Sequence, residues 1–234
     1  MPPEISVIIP AFNEEKYIKY PLEGLKKQGF TNFETIVVDG GSEDKTVRIA
    51  KKYAKVIVSR KRGVSAARNI GAQHAKGKIL FFLDADTRPS KGLLDAYHKA
   101  FLDKSVIAAT GPIYPLEKTK HRINVGYSFV SILFVNLSIM LKSPTIVGSN
   151  FAILAGTFRK VKGFDEKLIT YEDWDLSGRI KGLGEIKYLG DAKVYTSARR
   201  IIAWGLFGYF LFYLTNMLMY HVLKKTRNNY KVIR

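Results

Sequence analysis

An α/β fold on a doubly wound, mostly parallel sheet is what this sequence predicts, and three observations predict it. Short apolar runs alternate with helix-like segments through the first half, at the spacing of strand–helix units. The chain has 234 residues, 47% of them hydrophobic, which suffices for a sizeable buried core. One apolar run, Ile79-Leu80-Phe81-Phe82-Leu83, ends in Asp84-Ala85-Asp86 and delivers two carboxylates to a strand's C-terminal end. In open α/β sheets ligands bind at those ends.

The elements follow in order. A strand at 5–9 stops at Pro10, and a helix is expected over 14–28. A strand at 35–38 ends at Asp39-Gly40-Gly41-Ser42 and leads to a helix over 43–53. A strand at 56–58 passes through Arg60-Lys61-Arg62-Gly63 into a helix over 64–75. The strand at 79–83 carries the paired acids, and Ser90 is expected to cap a helix running to Leu102. The second half offers a strand at 106–110, an uncharged helix over 123–141, a strand at 149–154, a helix from Trp174 and short strands near 186–189. There is no internal repeat and no low-complexity linker, so residues 1–198 read as one catalytic domain and 199–234 as a C-terminal segment.

Composition narrows the function classes. There is no cysteine, which removes disulfides, thiolate metal sites and cysteine nucleophiles. Residues 1–9 lack the basic and apolar regions of a secretory signal, so none is expected. A net charge of +18 calls for an anionic partner: nucleic acid, a nucleoside diphosphate or an anionic membrane. Its distribution favours the membrane. Asp191 is the last acid, and residues 201–223 carry no Asp, Glu, Lys or Arg. That stretch includes Trp204 and is bracketed by Arg199-Arg200 and Lys224-Lys225. Such a segment reads as a membrane-associated helix. The stretch 123–141 places Asn124, Ser128, Ser131 and Ser138 on one helical side, and it reads as a transmembrane, interfacial or core helix.

The chemistry-bearing motifs sit at the strand ends. Buried carboxylates need a cation, and two acids spaced by one small residue, as in Asp84-Ala85-Asp86, can share a hard divalent ion that bridges to phosphate. Pro10-Ala11-Phe12-Asn13-Glu14-Glu15 ends the first strand; helix capping by Asn13 accounts for it equally well. Asp39 can accept hydrogen bonds from a nucleobase or ribose, while Gly40 and Gly41 let a ligand approach the backbone. Arg62 and Arg68 can neutralise phosphate, and Ala66, Ala67 and Gly71 allow close packing on the sheet. Glu172-Asp173-Trp174-Asp175 opens a helix, where acids suit the dipole and where a carboxylate can also act as a general base.

Together these motifs closely resemble glycosyltransferase family 2 over residues 5–194. The family comprises inverting enzymes of the GT-A fold that use nucleotide sugars, usually with Mg²⁺ or Mn²⁺. The resemblance implies that Pro10, Ala11, Glu14 and Asp39 bind the nucleoside; Gly41, Arg62, Arg68 and Ala85 are further donor-site candidates from their own chemistry and placement. It implies that Asp84 and Asp86 hold the ribose–diphosphate end and the metal, and that Asp173 is the catalytic base. Gly163-Phe164-Asp165-Glu166 looks like the family's segment before that base. The Q-x-x-R-W motif of processive members is absent, since the only glutamines are Gln28 and Gln73. Many members carry a histidine metal ligand after the last core strand; here that region reads Tyr195-Thr196-Ser197-Ala198-Arg199-Arg200, and its arginines are candidates for holding diphosphate or an anionic acceptor. Arg88 stands where polyprenyl-phosphate mannosyltransferases commonly offer a glutamine to the metal.

The expectation is therefore a non-processive inverting glycosyltransferase with a lipid or glycan acceptor, at the cytoplasmic face of the cell membrane. A single crossing by residues 123–141 would put Asp84-Ala85-Asp86 and Glu172-Asp173 on opposite sides, so that helix is not expected to span. The rivals are a metal-dependent nucleotidyltransferase and a non-catalytic membrane-docking relative. A nucleic-acid-binding protein is disfavoured, because acids at the strand ends repel phosphates without metal.

Overall fold

The computed structural model describes residues 2–117 and 145–223, so the expected helix over 123–141 lies outside the described residues. A seven-stranded sheet forms the centre, in the order β3-β2-β1-β4-β8-β6-β9. Its first strands are β1 (Ile5–Ala11), β2 (Phe33–Asp39), β3 (Lys55–Val58) and β4 (Ile79–Leu83), all parallel. Then β8 (Asn150–Leu154) inserts antiparallel between β4 and β6 (Val106–Thr110), and β9 (Glu185–Tyr188) pairs parallel with β6. A second sheet joins β5 (Thr87–Pro89), β10 (Val194–Thr196) and β7 (Ile113–Pro115). The expected mostly parallel, GT-A-like α/β sheet is present, with one reversed strand inside it.

The strands are apolar on both sides because helices cover both faces. In β4, Ile79, Phe81 and Leu83 join one core cluster while Leu80 and Phe82 join the other, as the two-residue period of a strand requires. Helices α1 (Lys19–Lys26) and α4 (Leu93–Ala100) supply Leu22, Leu25, Leu93 and Leu94 to the first cluster. The second receives α5 (Ala155–Lys160) and α6 (Glu172–Ile180) through Phe158, Leu176 and Ile180. Phe82 stacks on Phe151 at 4.9 Å and meets the edge of Phe164 at 5.4 Å. Helix α3 (Val64–His74) lies so close to β1 that a Cβ on Gly71 would collide with Ile8.

Three expectations change in physical detail. The helix over 14–28 starts only at Lys19, because Asn13 sits at φ 53 and Pro21 belongs in a first turn, where its missing N–H costs nothing. The helix over 43–53 shrinks to α2 (Thr46–Ala50), since Asp44 and Lys45 are held in a loop by bonds to Glu15. Ser90 does not cap α4; it follows β5, donating its N–H to the Lys193 carbonyl, and Gly92 at φ 74 precedes the helix instead. Of the two glycines expected as bends in the C-terminal helix α7 (Arg199–Leu223), Gly205 breaks it, with φ 70 and ψ 162, while Gly208 stays helical.

Candidate active site

Parallel pairing aligns three strand ends side by side. Ala11 of β1 pairs with Asp39 of β2, and β4 on the other flank of β1 runs out into Asp84-Ala85-Asp86. The loops after β1 and β2 are laced together. Asp39, fully buried, accepts from the N–H groups of Gly41 (3.0 Å) and Ser42 (2.8 Å) and from the Ser42 hydroxyl. Ser42 in turn accepts from the Asn13 N–H at 2.7 Å, and Thr46 accepts from the Glu14 N–H at 2.7 Å. Gly41 adopts φ 88, a left-handed conformation that favours glycine. Pro10 and Ala11 line the end of β1, and Arg62 lies over the Phe12 ring at 5.6 Å.

The expectation that Arg68 meets phosphate is corrected by its surroundings. Its side chain is 2% exposed, and both terminal nitrogens of its guanidinium are engaged while the buried Nε–H has no partner. It donates to Asp84 Oδ1 at 2.9 Å, to Glu172 Oε1 at 2.7 Å and to the Gly148 carbonyl at 2.8 Å. Burial alone would lower its pKa, but Asp84, Glu172 and Asp173 reverse that and raise it. The Gly148 N–H then donates to Asp173 Oδ2 at 2.9 Å, and the Trp174 N–H donates to Asp173 Oδ1 at 2.9 Å. Thus one arginine on α3 ties the first acid of the strand end to the acid pair that opens α6. Its neighbour Asn69 fixes the turn leading there, accepting from the Phe164 N–H (2.9 Å) and donating to the Phe164 carbonyl (3.0 Å) and Glu166 (3.1 Å).

Asp173 is partly buried, and its carboxyl is pushed up to about 7, first by burial and then by Glu172; the Gly148 N–H and Arg68 pull it back. Its range is that of a general base working near neutrality.

Asp86 has its own setting. Burial raises its pKa first, and Asp84 adds to this, while Arg199 and Arg200 oppose it. Its Oδ1 accepts from the Thr196 hydroxyl (3.2 Å) and the Thr87 hydroxyl (3.3 Å), and its Oδ2 pairs with Arg199 at 3.1 Å. Glu14, expected at the nucleoside, instead turns both carboxylate oxygens to Arg199, at 2.9 and 2.6 Å. Arg199 also stacks on Tyr17 at 4.7 Å. Glu117 anchors the approach to it by accepting from Ser197 Oγ (2.6 Å) and the Ala198 N–H (2.7 Å).

Sequence reasoning missed Thr87, Thr196, Asn69 and the pairing of Glu14 with Arg199. The first two belong to three-residue strands that only tertiary pairing creates, and Glu14 lies 185 residues from its partner. Asn69 had a signal: it adjoins Arg68 in a helix otherwise made of small residues facing the sheet.

The residues fit a divalent ion in one way. Among the described residues no three His, Asp, Glu or Cys side chains gather as a metal cage. Asp84 and Asp86 present two carboxylates at one strand end, and burial has raised the second, which a cation would relieve. That donor set suits a hard ion completed by phosphate oxygens.

Comparison with known proteins adds to this geometry. The model of Glycosyl transferase family 2 matches residues 6–161, more than half of the chain. Glycosyltransferase GlyA of Streptococcus pneumoniae is 26% identical over 211 residues, covering 85% of this chain and 29% of that protein. The probable glycosyltransferase YdaM of Bacillus subtilis is 28% identical over 202 residues, covering 78% of this chain and 47% of that protein. The chain thus spans less than half of either relative. Among solved structures, TarS of Staphylococcus aureus in complex with UDP-GlcNAc aligns with TM-score 0.67 at 24% identity, over 84% of this chain and 59% of that one. A mannosyltransferase from Pyrobaculum calidifontis in complex with GDP-Man and Mn²⁺ aligns with TM-score 0.66 at 21% identity, over 92% and 65%. At these identities the structures establish the fold.

Proposed function

Because the chain belongs to glycosyltransferase family 2, we propose that it is a non-processive, inverting glycosyltransferase acting on a nucleoside-diphosphate sugar. The observation that carries this reading is the Arg68 tie, which joins the strand-end acids to the Glu172-Asp173 pair in one constellation. Pro10, Ala11, Asp39 and Gly41 form the nucleoside side, with Arg62 at its rim. Asp84 and Asp86 would hold Mg²⁺ or Mn²⁺ beside the donor diphosphate, where such an ion would supply positive charge against the leaving group. Asp173 takes the proton of an acceptor hydroxyl as the new glycosidic bond forms. Where the acceptor is a phosphate, already ionised, Asp173 orients it instead. Arg68 touches none of the reacting atoms in this scheme and is a positioning residue.

The acceptor is proposed to lie at a membrane surface, as a lipid or glycan. Helix α7 supports this: an 18-residue stretch within Arg199–Tyr220 has mean hydropathy 1.5, and only 12% of that stretch is buried. Phe207 is 77% and Val222 78% exposed. Isolated apolar residues at the surface are ordinary; a contiguous helix of them beside a strongly basic chain suits anionic lipid.

Incubation with a panel of nucleotide sugars that includes UDP-GlcNAc and GDP-Man, with Mn²⁺ or Mg²⁺ and with or without extracted membrane lipid, tests the reading. Release of nucleoside diphosphate with lipid-dependent product is expected. Release of sugar 1-phosphate, or release of pyrophosphate when a nucleoside triphosphate and a sugar 1-phosphate are supplied instead, would identify a nucleotidyltransferase.

A further inference from the structure

We infer that Arg199 is a catalytic residue whose guanidinium binds the leaving diphosphate; this rests on the donor site proposed above. Its place is the first argument. Arg199 lies 3.1 Å from Asp86 Oδ2, so any diphosphate held at Asp86 comes within its reach. It also borders an open cleft of about 370 Å³, lined by Asn13, Lys16 and Tyr17 and by the acids Glu15, Glu43 and Asp44, so solvent reaches its edge.

Its bonding is the second argument. The side chain is 10% exposed, Nη1 and Nη2 are held by Glu14, and the buried Nε–H has no hydrogen-bond partner. A buried donor left unpaired is costly, and a phosphate oxygen is the acceptor that an arginine fork matches best. The Arg68 Nε–H is also without a partner, so it is the open donor together with the placement against Asp86 that sets Arg199 apart.

Charge is the third. Asp84, Asp86 and Glu14 outnumber the Arg199 guanidinium by two charges, and Arg200 adds a further cation to the field at Asp86. A divalent ion at Asp86 turns that balance positive, which suits a diphosphate. The base of the helix is well anchored, since Ala198 is 1% and Ile201 2% exposed, while the break at Gly205 separates this turn from the rest of α7.

In the reaction, the acceptor oxygen bonds to the anomeric carbon and its proton passes to Asp173. The bond from that carbon to the diphosphate oxygen breaks, and its electron pair stays on that oxygen. The nucleoside diphosphate leaves with one more negative charge than it carried as a sugar ester, and Arg199 meets that charge.

Calorimetric titration of the full chain with UDP and GDP in Mn²⁺ tests this, using whichever binds wild type more tightly and the matching monophosphate. Arg199→Gln is expected to weaken diphosphate binding about 10- to 100-fold and monophosphate binding less than about 3-fold, as loss of one charge-assisted contact predicts. Arg199→Lys keeps the charge and loses the fork, so its diphosphate affinity is expected to fall between the two. If Arg199→Gln fails to fold, the same ratio is read from Arg199→Lys. Wild-type affinity for the diphosphate in these variants, or equal losses for both nucleotides, overturns the assignment. A wild-type protein that binds neither UDP nor GDP overturns the donor-site reading and this one with it.

Discussion

Replacing Arg68 by methionine removes the guanidinium and keeps most of the side chain's length. Glu172, whose side chain is 11% exposed, and Asp84, at 31%, then face each other without their shared cation. Breaking a buried ion pair from one side costs about 3–5 kcal/mol. Solvent reaches Asp84 and screens its share, which holds the ion-pair loss near the lower figure. The Gly148 carbonyl loses its donor as well, at about 1 kcal/mol. A loss of about 4 kcal/mol is expected, read as a shift in the denaturant midpoint at unchanged m-value. In a chain of this size that corresponds to a fall in Tm of roughly 8–16 °C. Adding Glu172→Gln completes a double-mutant cycle, and a coupling above about 1 kcal/mol is expected if the two groups pair directly. A loss under 1 kcal/mol with no coupling would refute the claim that Arg68 ties the two halves together.

Other outcomes follow from the same geometry. Asp173→Asn is expected to cut transfer to a hydroxyl acceptor by about 10²–10⁴-fold while leaving nucleotide binding nearly intact; full turnover would sink the base assignment. In the wild type, kcat/KM should rise with pH through about 7, because Asp173 must lose its proton to serve as a base; the Asn variant should lose that limb. The same carboxyl is raised above its unfolded value, so the folded state holds the proton more tightly. Its contribution to stability is therefore complete below about pH 4 and is lost as pH rises through about 7, which denaturation at several pH values can follow. Phe82→Ala opens a cavity among Phe151, Phe158 and Phe164 and should cost about 3–5 kcal/mol in equilibrium unfolding. Replacing Phe207 and Val222 by aspartate should abolish sedimentation with phosphatidylglycerol-containing vesicles and leave Tm unchanged, since both side chains are exposed; unaltered binding would remove α7 from the membrane proposal.

Much of this site was readable because its parts are local. Pro10 ends one strand, Asp39-Gly40-Gly41-Ser42 turns out of the next, and Asp84 and Asp86 close the most apolar run, so the strand ends name themselves. Periodicity also placed α3 almost to the residue. Ser90 misled because a serine before a helical run carries the same signature as a cap, whereas β10 claims its backbone.

The amino-acid order alone determined most of the central strands and the longer helices, and where each strand delivers its acids, because apolar periodicity and turn chemistry act over a few neighbours. It also determined the family, through motifs short enough to read in place. Only tertiary structure decided that β8 runs antiparallel between β4 and β6, that Arg68 spends itself on Asp84 and Glu172, and that Arg199 crosses 185 residues of sequence to reach Glu14. A strand's direction depends on the route the chain takes back to the sheet, which local propensity does not record. The partner of a buried charge depends on which opposite charge the finished fold brings within about 3 Å, where desolvation makes pairing obligatory.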